Sequence, residues 1–450
     1  MFSKLILENF KSFDHFEVDF SENKNEKRAK KLCLIYGENG IGKTSIVDAF
    51  DLLVKSFYSI ERLKRANDYL SKDHDQKNFY GIFSQYANSL GIKESIEKYK
   101  RIGSDNNMSL IFESFIHDKR FVYSMIFSSK RIVEEKLMCN GDIIFHAGKK
   151  KLTLKPNFFM SDNLNNLILD YCSLYFGKHT ILSCINAVVK EVDFSLVKKS
   201  VGIPVIEFMD SIEKTFIFKT KENESFFSFL NIDEPDDEYI NDLLDDVFEG
   251  PYDDSLERQM MKTKKALTMF YSSLYANISG VDYRITSNRS GSTRTYKLHF
   301  IEKTTGDSVD IPYEKESTGT KKLLKLFKYF YYAATNNGTI IIDEIDNGIN
   351  DILLKTIIKS LEKSIKGQLI FTTHNTLLLD YPIKNGVYLL DRNPDQRISC
   401  YSLDEFGRKI QAGTNLVSQY LKGLYGGVPQ EGFFSMEYIV EAVKDNEQKN

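Results

Sequence analysis

GENGIGKTS, Gly37 to Ser45, follows the apolar run Leu32 to Tyr36, and the spacing of its letters has a mechanical reason. A strand delivers the chain into a loop whose glycines, Gly37, Gly40 and Gly42, can turn successive amides inward around a phosphate. Lys43 then reaches the β and γ phosphates of a nucleotide, Thr44 offers a hydroxyl to Mg²⁺, and the helix opening there aims its positive end at the anion. Gly37, Asn39, Gly40, Gly42, Lys43, Thr44 and Ser45 are the expected ATP ligands. A glycine-rich turn capped by a lysine is the bland alternative, and two distant stretches weigh against it.

The first of these is TIIIDE, Thr339 to Glu344. Four residues of high strand propensity suit a strand buried on both faces of a parallel sheet, and it ends in two acids. Asp343 is expected in the Mg²⁺ shell, and Glu344 is expected to orient and deprotonate the attacking water. The second is QLIFTTH, Gln368 to His374. Its strand, Leu369 to Phe371, closes on Thr372, Thr373 and His374, which places an imidazole beside the same strand ends as a sensor of the γ phosphate. Roughly 300 residues separate loop and acids, so the ATPase unit must be split by an insertion. Just before the acidic strand, ESTGTKK, Glu316 to Lys322, opens a helix running to about Tyr332 and exposes amides and hydroxyls to an anion. Alone, it would read as a helix cap by Ser317 or Thr318.

The order GENGIGKTS, ESTGTKK, TIIIDEIDNG, QLIFTTHN resembles the ABC-type ATPase heads of the SMC, RecF and OLD group. The opening LENFKSF, Leu7 to Phe13, is similar to the first strand and turn of those heads and adds Lys11 to the nucleotide ligands. RIVEEKLMCNGDIIF, Arg131 to Phe145, and GLYGGVP, Gly423 to Pro429, extend the resemblance to bacterial abortive-infection ATPases related to AbiL, RloA and the AriA subunit of PARIS defence. The resemblance implies a homo-oligomer in which Ser317, Thr318 and Gly319 of one subunit close the ATP pocket of another, with Asp346 in the loop communicating between sites. It also implies a glutamine joining Mg²⁺ to the water; Gln85 is a guess for it, outside the site proper.

The expected fold is α/β: a mixed central sheet with flanking helices and an antiparallel β side lobe, split by a mainly helical insertion. Residues 1–160 carry the first half of the head, 161–280 the insertion, and 281–450 the second half. Met108 to Phe127 alternates as antiparallel strands do, and Arg131 to Phe145 reads as a hairpin turning at Asn140 and Gly141. Asn163 to Phe176, Asp242 to Phe248 and Ser255 to Tyr275 show helical spacing without a sustained heptad run. Strands resume from Asp282 to Pro312, then around Val387 to Leu390 and Arg397 to Leu403, before a helix through Leu421.

The 450 residues, 42% of them hydrophobic, suffice for two or three domains, and a net charge of −3 argues neither for nucleic acid nor for membrane. Cys33, Cys139, Cys172, Cys184 and Cys400 lack paired spacing, which suggests a reducing cytosol and no metal site. No long apolar stretch opens the chain and Glu8 comes early, so neither signal peptide nor membrane span is expected. The turn Ser21 to Lys31 is basic, as is Lys149 to Lys151. A dense acidic tract, including Asp233, Glu238, Asp246, Glu249, Asp253 and Asp254, repels DNA and reads as an exposed loop or a dock for a basic partner.

OLD-type nucleases append a Toprim domain after the histidine, and too little chain follows His374 for one. Asp391 and Asp395 read as residues of a Pro-containing turn, so no intrinsic nuclease centre is expected. The resemblance thus implies a cytoplasmic defence ATPase that senses phage infection and controls a separately encoded toxic effector, a Toprim nuclease in the PARIS or RloA manner. A RecF- or SMC-like ATPase that clamps DNA between heads is the alternative, and it calls for a basic surface lining.

Overall fold

The computed structural model describes residues 1–22, 28–72, 92–148, 151–155, 162–191, 203–219, 243–244, 246–287, 293–379, 386–403, 415–428 and 435–437. Strands β1 (Phe2–Phe10), β2 (Phe13–Asp19) and β3 (Leu32–Tyr36) precede helices α1 (Lys43–Phe57), α2 (Ser59–Lys72) and α3 (Ile92–Tyr99). Strands β4 (Met108–Ile116), β5 (Lys119–Phe127), β6 (Ile132–Cys139), β7 (Asp142–Gly148) and β8 (Lys151–Leu154) lead to α4 (Asp162–Tyr175), α5 (Ile181–Glu191), α6 (Ile203–Glu213) and β9 (Thr215–Phe218). Then come β10 (Glu249–Pro251), α7 (Glu257–Leu274), β11 (Ile278–Ser287), β12 (Arg294–Lys303), β13 (Ser308–Pro312) and α8 (Thr318–Thr335). The chain continues through β14 (Thr339–Ile342), α9 (Asp351–Ser364), β15 (Gln368–Thr372), β16 (Val387–Arg392), β17 (Ile398–Ser402) and α10 (Leu416–Leu421).

The central sheet has the order β17-β16-β3-β15-β14-β9, parallel except for β17 at its edge. Every residue of β3, β14 and β15 is buried, as strands covered on both faces require. Alternation divides them between two cores. Cys33, Ile35, Ile341 and Ile370 face one; Leu32, Leu34, Tyr36, Ile340, Ile342, Leu369 and Phe371 face the other, against α7, α8 and α9. The first core is closed by an antiparallel seven-stranded sheet, β2-β1-β4-β5-β6-β7-β8, whose strands alternate: Phe121, Tyr123, Met125 and Phe127 of β5 point inward. Helix α1 lies between these sheets and is buried almost throughout, with Phe50 packed edge-on to Phe2. Buried Gln368 stitches the layers together: its Oε1 accepts from Phe2 N at 2.8 Å and its Nε2 donates to Phe2 O at 2.8 Å and Lys30 O at 3.1 Å. A smaller sheet of β10, β12, β11 and β13 packs against α7.

The mixed sheet and antiparallel lobe are as the sequence leads one to expect, including the β6–β7 turn, where Asn140 (φ +50) and Gly141 (φ +92) both take the left-handed angles of a tight hairpin. Two local expectations fail. Leu243, Leu244 and 246–248 are not helical; Asp246 accepts from Phe248 N at 2.8 Å, a local turn that competes with helix, and Leu243, Leu244 and Val247 are buried from this irregular segment. Asp391 belongs to strand β16, and its carboxylate accepts from Gly427 N at 3.0 Å. The segment read as a helical insertion also delivers β9 to the edge of the central sheet, parallel to β14, because TFIF is as apolar as the strand beside it. The basic turn at 23–27, Lys149 and most of the acidic tract lie outside the described residues. None of the described helices is long and apolar enough to cross a membrane.

Candidate active site

Strand β15 pairs in parallel with both β3 and β14, setting Thr372 opposite Ile35 and Phe371 opposite Ile342. The loops leaving these three strand ends therefore meet at one edge of the sheet, where open α/β folds bind ligands. Sequence stretches some 300 residues apart are brought together there by register alone.

In the loop after β3, Gly40 (φ +79) and Gly42 (φ +114) adopt backbone angles that side chains disfavour. Gly42 has no room for one either: a Cβ would stand 2.7 Å from Ser12 Oγ and 2.8 Å from the Phe13 ring, so the LENFKSF turn is packed onto the loop. Lys43 Nζ donates to the carbonyls of Gly37 at 2.7 Å and Glu38 at 2.9 Å. Burial lowers its pKa to about 8 despite the opposing charges of Asp343, Asp346, Glu344 and Glu38. Gly37 and Ser45 are buried, whereas Asn39, Gly40 and Thr44 are exposed. Lys11 (φ +48) sits in the turn after β1, its ammonium paired with Asp48 of α1 and 5.3 Å from the Tyr99 ring centre. It is thus engaged one turn beyond Thr44, not on the loop itself.

Opposite the loop, Asp343 is buried and accepts from Thr372 Oγ1 at 2.6 Å; the same hydroxyl accepts from Glu344 N at 2.7 Å. Glu344 has φ +48, a left-handed angle rare for residues other than glycine. Asp346 Oδ2 accepts from His374 N at 2.9 Å, while its Oδ1 is buried with no partner among the described residues. The His374 imidazole is pushed below its ordinary pKa, first by desolvation and then by the Lys43 charge, while Asp346, Glu344 and Asp343 pull the other way. At the amino end of α8, Ser317 Oγ accepts from Thr320 N at 3.0 Å as a helix cap. Ser317 and Thr318 are exposed, and a Cβ on Gly319 would lie 2.4 Å from Gly348 O, so this segment rests on the loop after β14.

Mg²⁺ takes oxygen ligands, usually one or two from protein with the rest from phosphate and water. The Thr44 hydroxyl and the Asp343 carboxylate fit that donor set. When bound, the metal would neutralise charge on the β and γ phosphate oxygens.

Several contributors were not singled out by sequence reasoning. Thr372 ties the two acids together. Lys322 Nζ donates to Glu344 O at 2.7 Å and Asn347 O at 2.8 Å, and burial lowers its pKa to about 8. Gln85 lies outside the described residues; directly after β9, the strand beside β14, comes Lys219, 3.0 Å from Asp48 Oδ1 and 2.5 Å from Asp51 Oδ2. Although burial opposes it, Lys55 and Lys219 hold the Asp51 carboxyl below its usual range. The signal for the last group was present: two acids, Asp48 and Asp51, inside an otherwise apolar helix demand buried cations.

The topology and this edge define the class: an ABC-type head of the P-loop ATPases. A family model described as "AAA domain" matches residues 4–242, more than half of the chain, and the chain belongs to that AAA domain family. A second, described as "AAA domain, putative AbiEii toxin, Type IV TA system", matches residues 193–380. No curated protein matches. Among solved structures the chain is similar to an SMC head bound to the C-winged helix domain of ScpA, at 14% identity over 89% of this chain and 98% of that one, TM-score 0.45. It is also similar to the SMC head domain from Thermotoga maritima, at 12% identity over 89% and 98%, TM-score 0.39. A third is the Smc head domain with an extended coiled coil bound to the C-terminal domain of ScpA derived from Pyrococcus furiosus, at 15% identity over 89% and 96%, TM-score 0.38.

Proposed function

We propose that this chain hydrolyses ATP with Mg²⁺ as the ATPase of a bacterial anti-phage defence system, assembling with further copies of itself and restraining or releasing a separately encoded toxic effector, of which a Toprim nuclease is the kind expected. The observation that carries the catalytic part is the single sheet edge shared by Lys43, Asp343, Glu344 and His374. In that reading Lys43 and the loop amides hold the β and γ phosphates, and Thr44 and Asp343 hold the metal. Glu344 takes the proton of a water whose oxygen attacks the γ phosphorus, ADP leaves, and His374 touches the γ phosphate.

The defence role rests on the sequence resemblance, and the family description that mentions the AbiEii toxin agrees with it. Assembly is supported by what stands exposed beside the acids: Ser317, Thr318, Asn347, Gly348 and, at 67% exposure, Ile352. A second copy laid there would bring its own triphosphate against Ser317 to Gly319. A DNA-clamping role gains less support, because three arginines on the antiparallel sheets are matched by acids: Arg120 with Glu113, Arg284 with Asp310, Arg294 with Asp254.

The test is a pair of variants. Lys43→Ala should abolish MgATP binding, and Glu344→Gln should bind ATP, turn it over at least 100-fold more slowly and elute from size exclusion as an ATP-dependent oligomer. A Glu344→Gln protein that hydrolyses at the normal rate would remove Glu344 as the base, and one that binds ATP yet stays monomeric would remove the shared pocket.

A further inference from the structure

Glu344 is gripped through its backbone from two sides. Its N–H donates to the Thr372 hydroxyl of β15 at 2.7 Å. Its carbonyl accepts from Lys322 Nζ at 2.7 Å and from Asn347 N at 3.1 Å. Between those anchors the residue is held at φ +48, a left-handed conformation that residues other than glycine disfavour, so the direction of its carboxylate depends on the anchors persisting. Other contacts on the loop after β14 come from β15, from the residues just after it or from the loop itself: Thr372 Oγ1 accepts from Glu344 N, Thr372 O accepts from Ile345 N at 3.1 Å, and His374 N donates to Asp346 Oδ2 at 2.9 Å. The contact through Lys322 comes from α8.

That contact arises at the amino end of α8, one turn past Ser317. Lys322 also donates to Asn347 O at 2.8 Å, so its ammonium bridges the loop from Glu344 to Asn347. Gly319 approaches Gly348 so closely that a Cβ would fall 2.4 Å from its carbonyl oxygen. An ammonium with two carbonyl acceptors and a glycine pressed on backbone leave little freedom for relative movement, because each would be lost or would clash on sliding by about one ångström. Helix α8 and the Glu344 loop are therefore one mechanical piece.

We propose that Lys322 is a positioning residue for Glu344: it carries the placement of the amino end of α8 into the backbone of the acid in the same chain. This rests on the reading of Glu344 as the base. Its consequence is directional. Whatever seats on Ser317, Thr318 and Gly319 pulls on Lys322, and through it on the Glu344 carbonyl, so occupancy of that edge sets the turnover of the chain's own site.

The experiment compares Lys322→Met and Lys322→Arg with the wild-type chain, measuring steady-state turnover and, separately, affinity for a fluorescent ATP analogue with Mg²⁺. Lys322→Met should lower kcat at least tenfold while affinity stays within threefold, and Lys322→Arg, which keeps a donor, should recover a substantial part. In the Glu344→Gln background Lys322→Met should change turnover by less than twofold, since the group it positions is already disabled. Turnover of Lys322→Met within twofold of wild type overturns the inference, as does a loss matched by an equal loss of affinity, which would mark Lys322 as a folding residue only. Normal turnover by Glu344→Gln alone would instead overturn the assignment of the base. The two failures are distinguishable.

Discussion

Replacing Thr372 by valine removes one hydroxyl and almost no volume, and it should disable the site more than any change of comparable size. Thr372 is fully buried; its Oγ1 donates to Asp343 at 2.6 Å and accepts from Glu344 N at 2.7 Å. A hydrogen bond to a charged group contributes about 1.5–3 kcal/mol, and an amide left without a partner in a partly buried place costs about 1–3 kcal/mol. Together they give an expected loss of about 3 kcal/mol, read as a drop of roughly 3 °C in a thermal melt of a chain this long. Turnover should fall further than stability suggests, by about 10- to 100-fold, because the carboxylates proposed for metal and water lose their common anchor. Thr372→Ser keeps both bonds and should stay within threefold of wild type. A valine variant that melts and turns over like wild type, or a serine variant as impaired as valine, would refute the reasoning.

Buried His179, whose Nδ1 lies 3.0 Å from Ser59 Oγ, has its pKa lowered from 6.5 to about 4 by desolvation, with Lys178 adding to it. The unfolded chain therefore takes up this proton first as pH falls. The contribution is fully present above pH 6.5, is lost progressively between 6.5 and 4, and amounts to about 3 kcal/mol. Denaturant melts of His179→Asn should show that much less pH dependence across this window; parallel curves for the two proteins would count against it. Gly427 (φ +69) has Leu390 O 2.9 Å and Gly37 Cα 3.8 Å from where a Cβ would stand, and its carbonyl accepts from Tyr420 OH at 2.9 Å. Gly427→Val should push this turn off the start of the phosphate loop and weaken MgATP binding about tenfold through strain of about 1–3 kcal/mol, measurable by calorimetry. Unchanged affinity would make the contact incidental.

What the sequence determined by itself is local in origin. GENGIGKTS needs only a strand before it and a helix after it, and Asn140 with Gly141 needs only its own turn angles. TIII and QLIFT are too apolar for anything but a covered parallel strand. Short-range sterics and hydrophobic periodicity settle such elements, so they were legible together with their candidate side chains. Legibility ended where a segment's state depends on its neighbours. Leu243, Leu244 and 246–248 belong to a stretch with helical spacing but are claimed by the core and by the Asp246 turn. TFIF inside a mostly helical stretch becomes an edge strand only because β14 offers it an unpaired edge.

The union of the site belongs to tertiary structure alone. Parallel register between β3, β15 and β14 carries Lys43 to Asp343 across some 300 residues, and nothing in either motif encodes that register. The roles of Thr372, Lys219 and Lys322 were hidden for the same reason: a threonine or lysine is an unremarkable surface letter until packing buries it beside a carboxylate or a carbonyl. Burial turns such a group into a constraint, because a polar atom removed from water must find its partner within about 3 Å, and only the folded chain decides which atom that is.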